Sequence, residues 1–180
     1  MADPEFILLG DALWLDFVNT ARGRGPVTDR LPDAAAYHRW TKATRIGSDA
    51  DTTPFPAVRR FRAKLLELAA ALDGGAAAPP SVVAAVNKLL EQDTGRERLT
   101  REAGAWRLRF APSAVPEGLV AIAHSAAATL SGTDTEVHEC AADACTLLFA
   151  VPRGALERRW CSLEPCGRDT RIERRRGAFR

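Results

Sequence analysis

The four cysteines are the residues of this chain whose types and spacing most clearly indicate chemistry. They occur as Cys140-x4-Cys145 and, fifteen residues later, as Cys161-x4-Cys166, all within the last 41 residues. Two close pairs separated by a longer loop are typical of a four-thiolate zinc site, in which each pair forms one knuckle around the ion. We therefore predict that one structural zinc ion is bound by Cys140, Cys145, Cys161 and Cys166.

Other uses of these cysteines are disulfides, an iron–sulfur cluster, redox chemistry or free thiols. A reducing cytosol disfavours disulfides, and the spacings differ from those usual for iron–sulfur clusters. The segment that begins at Cys140 has few large apolar side chains. It is too small to fold on a core of its own, so zinc binding would supply folding free energy that it otherwise lacks.

Arginines are concentrated around and after the second cysteine pair. Residues 153–180 contain nine arginines and four acidic residues, a local net charge of +5 in a chain of formal net charge +2. Clustered arginines neutralise phosphates and release their counterions, although a solvated basic terminus has the same composition. We expect a helix from Gly167 to Phe179, and DNA-facing side chains at Arg158, Arg159, Arg168, Arg171, Arg174, Arg175 and Arg176.

The elements that must position the cysteines begin with a helical segment. Apolar residues at helical spacing predict four helices between residues 11 and 93, with breaks at Gly74-Gly75 and Pro79-Pro80. From Arg96 onward, apolar and charged residues alternate and predict a β-hairpin. A helix from Leu119 to Leu130 follows it.

Close to the cysteines, two further strands are predicted. They cover Leu147 to Val151 and Leu156 to Trp160, and they pair around a turn at Pro152-Arg153-Gly154. This pairing would bring the two knuckles together.

One helical turn near the amino terminus offers polar side chains for a small ligand. The candidates are Asp16, Asn19 and Thr20, with Trp40 as a pocket wall. Asn19 and Thr20 have an alternative role, which is to end the helix before Gly23. Trp14, Trp40 and Trp106 occupy periodic apolar positions, so we expect them in the core.

Several protein classes find no support in the sequence. It contains no phosphate-binding glycine loop, metalloprotease motif or nucleophile elbow, and we expect no enzyme activity. No apolar run reaches the roughly 20 residues that span a bilayer. We expect a cytoplasmic protein without a membrane segment.

Two stretches of the chain resemble a known family. The string from Glu139 to Cys145, the pair Leu148-Phe149 and the string from Arg158 to Gly167 resemble the CGNR zinc finger. The string from Trp14 to Thr20 is similar to the start of the ABATE domain, which precedes that finger in the family. The resemblance implies a bacterial transcription regulator in which the finger binds duplex DNA and the N-terminal domain senses a small-molecule effector.

The expected organisation is an α+β chain in two parts. Residues 1–135 form a mainly helical ABATE-like domain with a small β-hairpin, and residues 136–180 form a treble-clef-like or ribbon-like finger that ends in a basic helix. A single finger offers little area for specific DNA binding, so we expect a homodimer that reads two half-sites.

One departure from the family motif supports an alternative function. The Cys-Gly-Asn-Arg of the family reads Cys166-Gly167-Arg168-Asp169 here. The arginine is thereby moved by one position, about 100° around a helix. The alternative is a zinc-stabilised module that binds RNA or another protein.

Overall fold

The computed structural model describes residues 5–26, 28–47, 51–102, 104–112, 114–154 and 158–167. Within them the chain forms five α-helices and two two-stranded antiparallel sheets, which confirms the predicted α+β class. In chain order the elements are α1 Leu13–Asn19, α2 Ala34–Ala43, α3 Phe55–Asp73, α4 Pro80–Leu90, β1 Gly95–Glu102, β2 Ala105–Pro112, α5 Gly118–Ser131, β3 Thr135–Glu139 and β4 Leu148–Pro152.

Local sequence signals explain where the helices begin and end. The Asp33 side chain caps α2 by accepting a hydrogen bond from the backbone N–H of Ala36 at 2.8 Å. Proline stands in the first turn of both α3 and α4, where its missing N–H costs no helical hydrogen bond. Helix α3 ends at Gly74. The four helices predicted before residue 93 are therefore confirmed.

Helix α1 lies at the centre of the main hydrophobic core. Four of its apolar residues, Trp14, Leu15, Phe17 and Val18, are fully buried. It packs against α3, α5 and β4, and Trp14 Nε1 donates a hydrogen bond to Thr129 Oγ1 of α5 at 2.9 Å. The same core includes Val137 of β3 and Leu148 of β4. The strands beside the first cysteine pair thus share a core with the helices.

The predicted hairpin is formed by β1 and β2. It pairs Glu97 with Phe110, Leu99 with Leu108 and Arg101 with Trp106. The expectation that Trp106 lies in the core is wrong, because 68% of this residue is exposed. A strand pair has two faces, and periodic apolar residues do not by themselves place either face against the core.

Strand β4 is also confirmed, but its predicted partner is wrong. It pairs with β3, placing His138 opposite Phe149 and Glu139 opposite Leu148. Residues 158–160 form no strand, and residues 155–157 lie outside the described part of the chain. The strand β3 was not predicted, since only Val137 among its five residues is strongly apolar.

The described helices all lack the combination of length and apolarity needed to cross a membrane.

Candidate metal centre

The first cysteine pair lies in the loop between β3 and β4. Cys140 follows β3 directly, and its backbone N–H donates to the Leu147 carbonyl at 2.9 Å. Within this loop the Cys145 N–H donates to the Ala142 carbonyl at 2.8 Å. The strand pair and these two bonds position both cysteines, whose sulfur atoms lie within 4.8 Å of each other.

The second cysteine pair approaches the first through the backbone. The Ala141 N–H donates to the Arg159 carbonyl at 2.9 Å, and the Cys161 N–H donates to Cys140 Sγ at 3.4 Å. Cys166 belongs to a single irregular turn, Leu163–Gly167, in which Glu164 is extended. The two knuckles therefore face each other without a strand pairing between them.

The four sulfur atoms have the geometry of a tetrahedral zinc site. All four cysteines are buried, and their Sγ atoms lie within 4.8 Å of one another. The Cys145–Cys161 and Cys161–Cys166 Sγ distances are 3.8 and 3.7 Å. A zinc–sulfur bond of about 2.3 Å in a tetrahedron places two sulfurs roughly 3.8 Å apart. A disulfide would need about 2.05 Å.

This set of donors defines what the site can do. Four thiolates fill the coordination sphere of zinc, so no position is left for water or a substrate. The cysteines sit among buried apolar side chains, Ile7, Leu147, Phe149 and Val151. The arrangement is therefore that of a structural ion, and the expectation of one zinc ion is confirmed by this geometry together with the family match given below.

Arg24, from the loop after α1, reaches the sulfur cluster. Its guanidinium donates to Cys161 Sγ at 3.5 Å and to Ser162 Oγ at 2.8 Å. A zinc ion with four thiolates carries a net charge of −2, and an arginine at one sulfur offsets part of it. Hydrogen bonds to metal-bound ligands also fix their orientation.

The metal-free thiols do not titrate alike. The hydrogen bond with Cys145 outweighs the effect of burial and, with the contact from Arg24, lowers the pKa of Cys161 to about 4. Burial, followed by the negative charge of Cys161, raises the pKa of Cys166 to about 11. The pKa of Cys145 is raised as well, because its proton is shared with Cys161. Arg24 thus favours the thiolate form of the sulfur atom that it contacts.

Backbone bonds from the same loop hold the first knuckle in place. The Gly25 N–H donates to the Ala144 carbonyl at 2.6 Å, and the Thr146 N–H donates to the Gly23 carbonyl at 2.9 Å. Arg22 adds side-chain hydrogen bonds to Thr146 and Glu139. The sequence did not indicate the role of this loop. Its glycines and arginines have no characteristic spacing that predicts a contact with cysteines far along the chain.

Two of the predicted DNA-facing arginines are within the described residues. Arg158 donates to the Cys161 carbonyl at 2.8 Å and pairs with Asp11 at 2.6 Å, and its guanidinium lies 4.7 Å from the Phe149 ring centroid. It is therefore engaged in the fold around the second knuckle. Arg159 is exposed. The remaining candidates, Arg168, Arg171, Arg174, Arg175 and Arg176, and the helix expected to carry them, lie outside the described residues.

The four candidate ligand-binding residues are mostly used within the protein. Asn19 is 1% exposed, and its amide donates to the Leu148 carbonyl at 2.8 Å and accepts from the Leu148 N–H at 2.9 Å. Thr20 Oγ1 donates to the Phe17 carbonyl and accepts from Arg62 at 2.9 Å. Trp40 is fully buried. Thr20 does end α1, whereas Asn19 instead joins α1 to β4.

Asp16 differs from the other candidates because it is only partly buried. Its carboxylate accepts a hydrogen bond from the Gly10 N–H at 2.8 Å. Burial raises the pKa of Asp16 to about 6 against the effect of that bond, and the charge of Asp11 adds to the rise.

Comparison with protein families gives two matches. Residues 11–133 match the ABATE family model, described as "Putative stress-induced transcription regulator", and residues 136–177 match the CGNR zinc finger. Neither description is that of an enzyme. None of the curated proteins is significantly similar to the chain.

Proposed function

Since this chain belongs to the ABATE family and carries a CGNR zinc finger, we propose that it is a bacterial transcription regulator that binds duplex DNA through the finger. The observation that carries the proposal is the group of four buried sulfur atoms within 4.8 Å of one another, inside the stretch that matches the finger. A closed four-thiolate site performs no reaction, so its role is to shape a binding module.

The distribution of charge supports DNA as the partner. The net charge of +5 over residues 153–180 leaves a body of about −3, so the basic character belongs to the finger. Phosphate contacts by arginine supply most of the affinity in DNA binding. Arg168, Arg171, Arg174, Arg175 and Arg176 are the side chains that we assign to the DNA, with Arg159 as a further phosphate contact.

Assembly and location are part of the same proposal. One finger contacts only a short DNA segment, so we propose a homodimer that reads two half-sites. A four-thiolate site requires reduced cysteines, which supports a location in the cytoplasm.

We also propose that the ABATE part responds to a small-molecule signal. Asp16, Asn19, Thr20 and Trp40 remain the sequence-based candidates, although the last three are buried and Asn19 and Thr20 have partners within the protein. A cavity of about 390 Å³ lies elsewhere, between the start of α3 and the start of α5, and its lining includes Asp51 and Glu117. If a ligand changes the hydrogen-exchange protection of the α1 backbone amides, that result would indicate binding at the sequence-based candidates rather than in this cavity.

The proposal is tested by fluorescence anisotropy of the full chain with duplex DNA from upstream of its own gene. Unrelated duplex serves as the competitor, and each titration is repeated after zinc chelation and after zinc is restored. We expect binding that resists the competitor, is lost on chelation and returns with zinc, because the contact residues follow the second knuckle.

Two other outcomes of this experiment would contradict duplex recognition. Preference for a single-stranded or looped RNA competitor would indicate the RNA-binding alternative. Absence of binding to any nucleic acid with zinc present would favour a protein-interaction module, consistent with the Gly167-Arg168-Asp169 departure from the family motif.

A further inference from the structure

The β1–β2 hairpin exposes four large apolar side chains. The exposed fractions are 66% for Leu99, 68% for Trp106, 58% for Leu108 and 51% for Phe110. Single exposed apolar residues are ordinary on protein surfaces, whereas contiguous apolar patches mark interaction sites. These four residues mark an interaction site if they lie together on one surface.

The strand register places all four on the same face. Leu99 lies directly opposite Leu108, and Trp106 and Phe110 occupy the rungs on either side of that pair. Residues two apart on a strand share a face, and so do residues directly opposite on paired strands. We call the surface formed by Glu97, Leu99, Arg101, Trp106, Leu108 and Phe110 the apolar face of the hairpin.

The opposite face of the hairpin has a different character. Arg98 lies directly opposite Arg109, and Arg107 is on the next rung. All three arginines are exposed. Charged side chains are depleted at the centres of protein interfaces. The apolar face is therefore better suited than the basic face to burial against another protein surface.

At one end of the apolar face, an aromatic ring lies close to the backbone of the neighbouring strand. The Phe110 ring lies over Gly95, where an added Cβ atom would stand only 2.4 Å from Phe110 Cζ. A glycine in a strand that is covered by a cross-strand aromatic ring is a recognised way to fix strand register. The Phe110 ring thus packs against the backbone at this end of the apolar face.

We propose that this apolar face is the interface through which two copies of the chain form a symmetric dimer. A two-fold axis through the Leu99–Leu108 rung exchanges the rung of Glu97 and Phe110 with the rung of Arg101 and Trp106. Glu97 of each copy then lies opposite Arg101 of the other, and Phe110 opposite Trp106. The face is therefore complementary to itself, since it places opposite charges together and apolar residues together, as a two-fold interface requires.

This partner also explains how an exposed two-stranded hairpin is stabilised. An isolated hairpin is marginally stable in water, whereas packing on a second layer stabilises it. Face-to-face packing of two hairpins makes that layer, with a sheet spacing of about 10 Å. Each copy contributes only six side chains to this face, so we expect a small interface and a dimer that dissociates on dilution.

The test is sedimentation equilibrium of the full zinc-loaded chain over a range of concentrations, without DNA. The wild-type chain should show a dimer that dissociates on dilution. Leu108→Glu should be monomeric over the same range, because it places a charge at the centre of the interface on the strand opposite Leu99. Circular dichroism checks that each variant keeps its helical content.

Charge-reversal variants of Glu97 and Arg101 test the proposed arrangement of the two copies more specifically. Glu97→Arg and Arg101→Glu should each weaken the dimer by at least tenfold, since each places like charges opposite one another, and the double variant Glu97→Arg/Arg101→Glu should restore it. Arg98→Glu is the matched control: it makes the same charge change on the basic face, and it should leave the dimer unchanged.

Three results would overturn the inference. These are a wild-type chain that stays monomeric at every concentration, a dimer that survives Leu108→Glu, and a double variant no better than its parents. The inference extends the proposed homodimer but is measured without DNA. A chain that dimerises in this way and binds no duplex would contradict the proposed function alone.

Discussion

At the scale of single residues, Arg24 links the helical part of the chain to the zinc ligands. Its guanidinium touches Cys161 Sγ and Ser162 Oγ from a loop more than a hundred residues earlier in the chain. We predict that Arg24→Ala lowers the affinity for zinc by about tenfold to a hundredfold, the usual effect of removing a hydrogen bond to a metal ligand.

The measurement is competition for zinc between the protein and a chromophoric chelator. Arg39→Ala is the matched control, because Arg39 lies on the surface and pairs with Glu5 rather than with a cysteine. Equal affinities of Arg24→Ala and Arg39→Ala would show that Arg24 has no influence on the ion.

Asp16 predicts a dependence of stability on pH. The pKa of its carboxyl is raised from 3.8 to about 6 in the folded protein, mainly by burial. A raised pKa in an acid means that folding favours the protonated form, so its contribution to stability is present below pH 4 and is lost as the pH rises through 6.

We expect Asp16→Asn to remove this dependence while retaining an oxygen that accepts the Gly10 N–H. The variant should be more stable than the wild type by about 3 kcal/mol at pH 8, with the gap closing toward pH 4. The free energy of unfolding in urea, measured for both proteins across this range, tests it. A constant difference would mean that Asp16 is not the titrating group.

The variant Arg171→Ala tests the proposed DNA contact at a single residue. It lies outside the described residues, and its assignment rests on the basic pattern that follows Cys166. Arg171→Ala should weaken duplex binding and reduce the slope of log K against log salt concentration by about 1, the value for one lost phosphate contact. Arg60→Ala, an exposed position on α3, should leave the slope unchanged.

At the scale of elements, the contact between α1 and β4 joins the helices to the zinc-binding segment. Asn19 satisfies both the N–H and the carbonyl of Leu148, and all of these groups are buried. Asn19→Ala leaves two backbone groups without partners, and we expect a loss of about 3 kcal/mol in the free energy of unfolding.

The same substitution at an exposed helical position provides the control. Asn87→Ala on α4 should change the stability by less than about 0.5 kcal/mol. Urea unfolding of both variants with zinc present measures the difference. A similar stability of the two variants would show that the Asn19 contact does not hold α1 to β4.

The helices of this chain could be predicted from its sequence more fully than the pairing of its strands. Helix α3 was predictable because Val58, Phe61, Leu65 and Leu68 form one apolar stripe and are all buried. The partner of β4 was not, because β3 has little apolar patterning and its pairing depends on long-range packing. The hairpin was predictable as a local pairing, but the exposure of Trp106 depends on the rest of the fold.

The residues of the candidate site also fall into those that the sequence predicts and those that only the structure shows. The cysteine ligands could be found from their spacing, because zinc coordination imposes a pattern on the sequence. The contributions of Arg24 and Asn19 could not, since each contacts a residue more than 120 positions away. Arg158 was expected to face DNA, and its bonds to the second knuckle are visible only in the structure.

At the scale of the whole molecule, the two parts of the chain are joined by packing as well as by sequence. Val137, Leu148 and Ala150 from the zinc-binding segment lie in the same core as the helices, and Ile7 from the other end of the chain lies among the cysteines. Loss of zinc should therefore destabilise the helical core as well as the finger, because part of that core is held by β4.

The most direct measurement of the central claim is the zinc content of the purified chain combined with X-ray absorption at the zinc edge. We predict one zinc ion per chain with four sulfur ligands at about 2.3 Å, and loss of stoichiometric binding in Cys161→Ser. Zinc with nitrogen or oxygen ligands, or a zinc-free chain whose cysteines remain fully reduced and whose melting temperature is unchanged by added zinc, would contradict it.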